Sequence, residues 1–146
     1  MTVTDGDIYI AGFLGEGGSN EPIYWKDNSN CTGWHYSPSE ANAITSWGND
    51  VYIARAVYIR SGNITEATYW KKNISVDIGS ILNGITTATA VSGNDVYTAG
   101  FYSTDINYLS SNPYYGDKAI YRESNLPVKL SNATTCLALR IAVVQQ

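Results

Sequence analysis

Ser92-Gly93-Asn94-Asp95-Val96-Tyr97-Thr98-Ala99-Gly100 is the stretch that decides how this chain folds. Val96, Thr98 and Gly100 alternate with Tyr97, Ala99 and Phe101, the period of two that marks a strand with two different faces. Gly93-Asn94 ahead of it reads as a two-residue hairpin turn, with Thr86 to Ser92 as the other arm. The hexamer that starts at Asp95 occurs twice more, as Asp7-Ile8-Tyr9-Ile10-Ala11-Gly12 and Asp50-Val51-Tyr52-Ile53-Ala54-Arg55, at spacings of 43 and 45 residues. A second marker follows each copy: Ile23-Tyr24-Trp25-Lys26-Asp27-Asn28, Thr68-Tyr69-Trp70-Lys71-Lys72-Asn73 and Ile120-Tyr121-Arg122-Glu123-Ser124-Asn125. Two markers that recur in step define a structural repeat.

The third unit parses into four strands, Thr86 to Ser92, Asp95 to Tyr102, Lys118 to Glu123 and Leu126 to Leu130, with Ser124-Asn125 as a further turn. The second parses likewise: Thr45 to Trp47, Gly48-Asn49, Asp50 to Tyr58, Ala67 to Lys71, Lys72-Asn73, then Ser75 to Ile78. Four antiparallel strands repeating every ~40 to 50 residues predict an all-β chain built as a β-propeller with three four-stranded blades. The expected boundaries are about 1–37, 41–80 and 84–131 within one domain of 146 residues.

The same residues carry a resemblance. The chain is similar to bacterial propeller repeats in which Ser-Gly-Asn-Asp-Val-Tyr-x-Ala-Gly is followed by Tyr-Trp-Lys-Asn. Ser92 to Gly100 matches best, Arg55 stands where the pattern has Gly, and Arg122-Glu123 stands where it has Trp-Lys. The resemblance implies a propeller in an exported or cell-surface protein, and no particular activity.

Blades number roughly four to eight in a closed ring, so three do not close alone. Met1 to Thr4 is too short for an inner strand of the first blade, whereas Cys136 to Val144 reads as an inner strand without a blade. The expectation is a homodimer in which residues 136–144 of one chain complete the first blade of another, giving a six-bladed ring from two chains. A chain cut from a longer propeller is the other account of the same gap. Arg140 lies on this expected inner strand, where it would face the channel or pair with a carboxylate.

Composition narrows the function classes. Nine Lys plus Arg against 13 Asp plus Glu give a net charge of −4, and no basic cluster exceeds Lys71-Lys72, so nucleic-acid backbone binding lacks its electrostatic footprint. No apolar run reaches the ~20 residues of a membrane span. Cys31 and Cys136 read as free thiols rather than a disulfide framework, and no spacing suggests a metal or a cofactor. Four glycosylation sequons begin at Asn30, Asn63, Asn73 and Asn132, and matter only in a eukaryotic secretory route. The chain holds no phosphate loop, no Cys-x-x-Cys pair and no nucleophile elbow.

The recurring Asp7, Asp50 and Asp95 are expected to brace the hairpins by accepting backbone N–H bonds. In the Tyr24-Trp25 and Tyr69-Trp70 pairs one ring is expected to pack between blades and the other to cover the sheet edge. Loop length says more about function. From the Asp of the first marker to the Tyr of the second the separations are 17, 19 and 26 residues, so variation concentrates between the second and third strands. One face of the disc is thereby expected to gather Trp34, His35, Tyr36, Tyr58, Arg60, Tyr102, Asp105, Tyr108, Tyr114, Tyr115 and Asp117. Rigid tyrosine rings among Asn and Ser resemble a binding paratope, which favours a non-enzymatic module for a glycan or a surface protein. A carbohydrate hydrolase or lyase using Asp105 and Asp117 is the enzymatic alternative. A structural assembly module is the third.

Overall fold

The computed structural model describes residues 1–16, 19–31, 39–59, 64–72, 74–82, 84–103, 118–123, 126–130 and 137–144. They form three four-stranded antiparallel sheets. The first holds β1 (Thr2–Thr4), β2 (Asp7–Glu16), β3 (Ser19–Lys26) and β4 (Ser29–Cys31). The second holds β5 (Ser39–Trp47), β6 (Asp50–Ile59), β7 (Ile64–Lys71) and β8 (Ile74–Leu82). The third holds β9 (Gly84–Ser92), β10 (Asp95–Tyr102), β11 (Lys118–Glu123) and β12 (Leu126–Lys129). Each sheet is a meander in chain order, so every hydrogen-bonded neighbour is also a sequence neighbour. Among the described residues no helix is long and apolar enough to cross a membrane.

The turns follow the residues. Asp5 and Gly6 both take positive φ, 51° and 89°, as do Asp27 and Asn28, 46° and 67°. Mirror-image turns of this kind match the right-handed twist of the strands they join, and Asp, Asn and Gly tolerate them best. At Gly48-Asn49 and Gly93-Asn94 it is the glycine that takes the positive φ, 54° and 59°.

Period two gives each sheet two faces, and both are used. In the second sheet Ile44, Ile53 and Trp70 share one face and pack against Tyr9, Ala11 and Tyr24 of the first sheet. Tyr52, Ala67 and Tyr69 share the other and pack against Val91 and Val96 of the third. We call the first kind of face leading and the second trailing. Accordingly, β2 and β3 lie against β5, while β6 and β7 lie against β9. Thr2 Oγ1 also meets Ser46 Oγ across the first contact at 3.3 Å. The tyrosine pairs repeat in geometry as well as position: Tyr9 and Tyr24 have centroids 6.4 Å apart at 32°, Tyr52 and Tyr69 6.4 Å at 34°.

Two inner strands run longer than the alternation suggests, because a bulge breaks the period. β5 shifts register between Ala41 and Ala43, and Asn42 uses the extra position to donate from Nδ2 to Thr86 O at 2.9 Å. β10 shifts against β9 between Ala99 and Gly100. There the backbones approach so closely that a Cβ at Gly100 would overlap Ile85 O, and Phe101 packs with Ile85 onto Ala56 of the second sheet.

The first sheet corrects one expectation. β1 is short but does occupy the inner position, pairing Thr2, Val3 and Thr4 with Tyr9, Ile8 and Asp7. Residues 137–144, expected to complete the first blade of a second copy, form no strand within the single chain. The segment touches β9 at one point, where Thr87 Oγ1 donates to Ala138 O at 2.5 Å.

Candidate functional site

Strand register places the connections of interest at one end of each sheet. β2 and β3 close with Glu16 opposite Ser19, β6 and β7 with Ile59 opposite Ile64, and β10 and β11 with Tyr102 opposite Lys118. β5 and β9 start at this same end, since Ser39 faces Val57 and Gly84 faces Tyr102. The short turns at 5–6, 48–49 and 93–94 lie at the other end. The chain spans this end with 2, 4 and 15 residues between the paired strands of the three sheets.

Of the eleven residues expected there, Tyr102 is half-buried at the last position of β10. Tyr58 lies on β6, paired with Thr65 one position before the strand ends. Trp34, His35, Tyr36, Arg60, Asp105, Tyr108, Tyr114, Tyr115 and Asp117 lie outside the described residues. The backbone thus brings Tyr58 and Tyr102 to matching ends of neighbouring sheets.

Two of the three recurring aspartates, Asp7 and Asp50, take lysine partners. Asp7 Oδ2 lies 2.6 Å from Lys26 Nζ, and Asp50 is bracketed by Lys72 at 2.6 Å and Lys71 at 3.3 Å. Hydrogen bonding from Lys26 holds the Asp7 carboxyl below its ordinary 3.8, and Lys72, then Lys71, do the same to Asp50. In return Lys26 is pushed up, first by Asp7 and then by Tyr9. Lys71 is raised by Tyr52 and then Asp50, and its ammonium sits 5.2 Å from the Tyr52 ring centroid. The backbone brace falls to Asp27, whose Oδ1 accepts from Ile8 N at 2.8 Å. In the third unit, where Glu123 replaces lysine, Tyr97 donates its hydroxyl to Glu123 Oε1 at 3.1 Å.

Arg55, the departure from Gly in the repeat, is buried. Its guanidinium carbon stands 3.9 Å from the Trp70 ring centroid, and Nη2 donates to Ser39 Oγ at 2.8 Å. Burial lowers its pKa to about 10. Where the first sheet keeps Gly12, the Trp25 ring lies over the glycine itself, 3.0 Å from where a Cβ would be.

The leading face of the first sheet was not among the expected sites. Val3, Ile8, Ile10 and Leu14 share it by register and are all exposed, and Trp25 on the same face is half-buried. Ile10 is 44% exposed, whereas its counterpart Ile53 in the second sheet is 1% exposed. Superposing the hexamers face by face, rather than counting their residues, is the signal that finds it. Among the described residues no group of His, Cys, Asp or Glu is placed to hold a metal. No protein-family model, curated protein or solved structure matches this chain.

Proposed function

We propose that the chain is half of a six-bladed β-propeller closed by a second copy, and that it acts as a non-enzymatic binding module for a glycan or a surface protein. The observation that carries this reading is the shared end of the three sheets. Rigid paired strands deliver connections of 2, 4 and 15 residues there, and Tyr58 and Tyr102 stand at its margin. Variable connections on an invariant frame are how binding surfaces are mounted, and tyrosine supplies contact area at low entropic cost.

The two-chain ring is supported by the incomplete first sheet. β1 pairs only Asp7 to Tyr9, so the inner edge of β2 beyond Tyr9 is longer than its own inner strand. The 137–144 segment of a second copy, with exposed Leu137, Leu139 and Val143, has the apolar character to extend it. Asp105 and Asp117, on which the hydrolase reading rests, lie outside the described residues, and Asp7 and Asp50 do not supply its acid. Asp7 and Asp50 are lysine-bound and held ionised, the opposite of the raised acid that glycoside cleavage requires.

A glycan array probed with the labelled chain, alongside Tyr102→Ala and Trp34→Ala variants, tests the reading. Retention on one sugar class, weakened about tenfold or more by either variant, agrees with it; tenfold corresponds to ~1.4 kcal/mol. New reducing ends released from the bound glycan would favour the hydrolase.

A further inference from the structure

Both internal contacts of this chain use one recognition pattern. A tyrosine pair on a trailing face, Tyr9 with Tyr24 or Tyr52 with Tyr69, covers the β-branched residues of the next leading face, Ile44 and Ile53 or Val91 and Val96. Among the described residues the three sheets make two such contacts, which leaves one face of each kind at the ends. The free leading face carries Ile8, Ile10 and Trp25 in the register of Val51, Ile53 and Trp70. The free trailing face carries Tyr97 and Tyr121 in the register of Tyr52 and Tyr69, with Val128 beside Tyr121.

Burial separates the two faces of the second sheet, which has a neighbour on each side, from the end faces, although Tyr9 and Tyr24 at the first contact are themselves half-buried. Tyr52 and Tyr69 are 3% and 9% exposed beneath the third sheet, whereas Tyr97 and Tyr121 are only half-buried and Val128 is exposed. Trp70 is 3% exposed beneath the first sheet, while Trp25 is half-buried. Ile23, also on the leading face of the first sheet, is buried, which confines the open area to the rows formed by β1 and β2.

We infer that these two faces are complementary to each other, and that the leading face of the first sheet docks on the trailing face of the third sheet of a second copy. The inference rests on the two-chain reading above and names its contact. The occupant is a copy of this chain because the trailing face of its third sheet continues the interface that the chain builds twice internally. A two-fold axis then satisfies both ends at once: each copy gives one leading and one trailing face, and the ring closes with none left over. A face pair that failed to close would instead grow without limit. Isolated apolar rows such as Ile8, Ile10 and Leu14 are the kind of surface that soluble proteins cover.

Light scattering on the full chain and on two single variants tests this. Ile10→Arg places a charge on the leading face, and Tyr121→Asp places the opposite charge on the trailing face. The expected result is a wild-type mass twice 15.9 kDa and a single-chain mass for each variant, both variants retaining the wild-type far-ultraviolet circular dichroism. Mixing the two variants should restore the doubled mass, because one contact in the mixed pair is unaltered and the other sets Arg against Asp. That recovery also excludes misfolding as the cause of the loss. A doubled mass that survives both variants but falls on removal of residues 134–146 would overturn the face contact while leaving the two-chain ring standing. A wild-type chain of single mass at 0.1 mM, or about that, would overturn both.

Discussion

Arg55 stands over Trp70, its guanidinium carbon 3.9 Å from the ring centroid, in the contact between the first and second sheets. The repeat has glycine at this position in the other two units; in the first the Trp25 ring lies over the glycine, whereas here the arginine side chain takes the place above the indole. A desolvated pair of this kind is worth about 2 kcal/mol.

Arg55→Ala should therefore lower stability by on the order of 2 kcal/mol, read as a shift of the urea midpoint at unchanged slope. Arg55→Met should lose less than about 1 kcal/mol. It keeps the packing over the ring and removes the burial of a cation, which is itself unfavourable and is what brings the arginine pKa down to about 10. Equal losses in the two variants would mean that packing plays no part.

Ile53 and Ile10 occupy the same repeat position and should respond differently. Ile53→Ala removes a side chain that is 1% exposed between two sheets and should cost roughly 2 to 5 kcal/mol. Ile10→Ala, at 44% exposure, should cost under about 1 kcal/mol in the dilute single chain. Thermal melts at several protein concentrations separate this intrinsic effect from any contribution of self-association.

Gly100→Ala should be as damaging as a core deletion. The new methyl group would overlap Ile85 O and meet the Thr86 backbone, so no side-chain rotation relieves it. Gly12→Ala should be milder, because its neighbour is the rim of the Trp25 ring, which can tilt by a few tenths of an ångström. The comparison is read in the same urea titration.

The aspartate–lysine pairs set an acid limit. Asp7 and Asp50 are held below their ordinary 3.8 in the folded chain, so their contribution is present above that pH and is lost as pH falls through the lowered values. Asp7→Asn with Asp50→Asn should flatten the stability profile below about pH 4 and leave the neutral region little changed, since exposed pairs are weak. An unaltered acid limb in the double variant would assign acid sensitivity to other carboxylates.

Much of this architecture is written in the spacing of the markers. Asp95 to Tyr102 and Lys118 to Glu123 have the observed bounds, because alternation and flanking turn residues agree there. β5 and β9 were legible only in part, since the bulges after Ala41 and near Gly100 break the period on which the reading depends. The lysine partners of Asp7 and Asp50 were not legible, because a register between strands 19 or more residues apart decides them. The loop face was legible as a set of residues at one end, but only Tyr58 and Tyr102 are placed by strand pairing.

The meander order of the sheets has a consequence for how the molecule comes apart. Pairing is local within each sheet, and among the described strands each sheet makes its main contacts with the next, so stability is a sum of unit terms and neighbour terms in one dimension. The second sheet has neighbours on both sides and is the most strongly held. Amide exchange should be slowest at Ile53, Ala54 and Trp70 and grade outward, with the ends opening before the middle. Unfolding of this chain would then be a progressive unzipping from its termini, and a second copy that capped both ends would turn it into a single cooperative event.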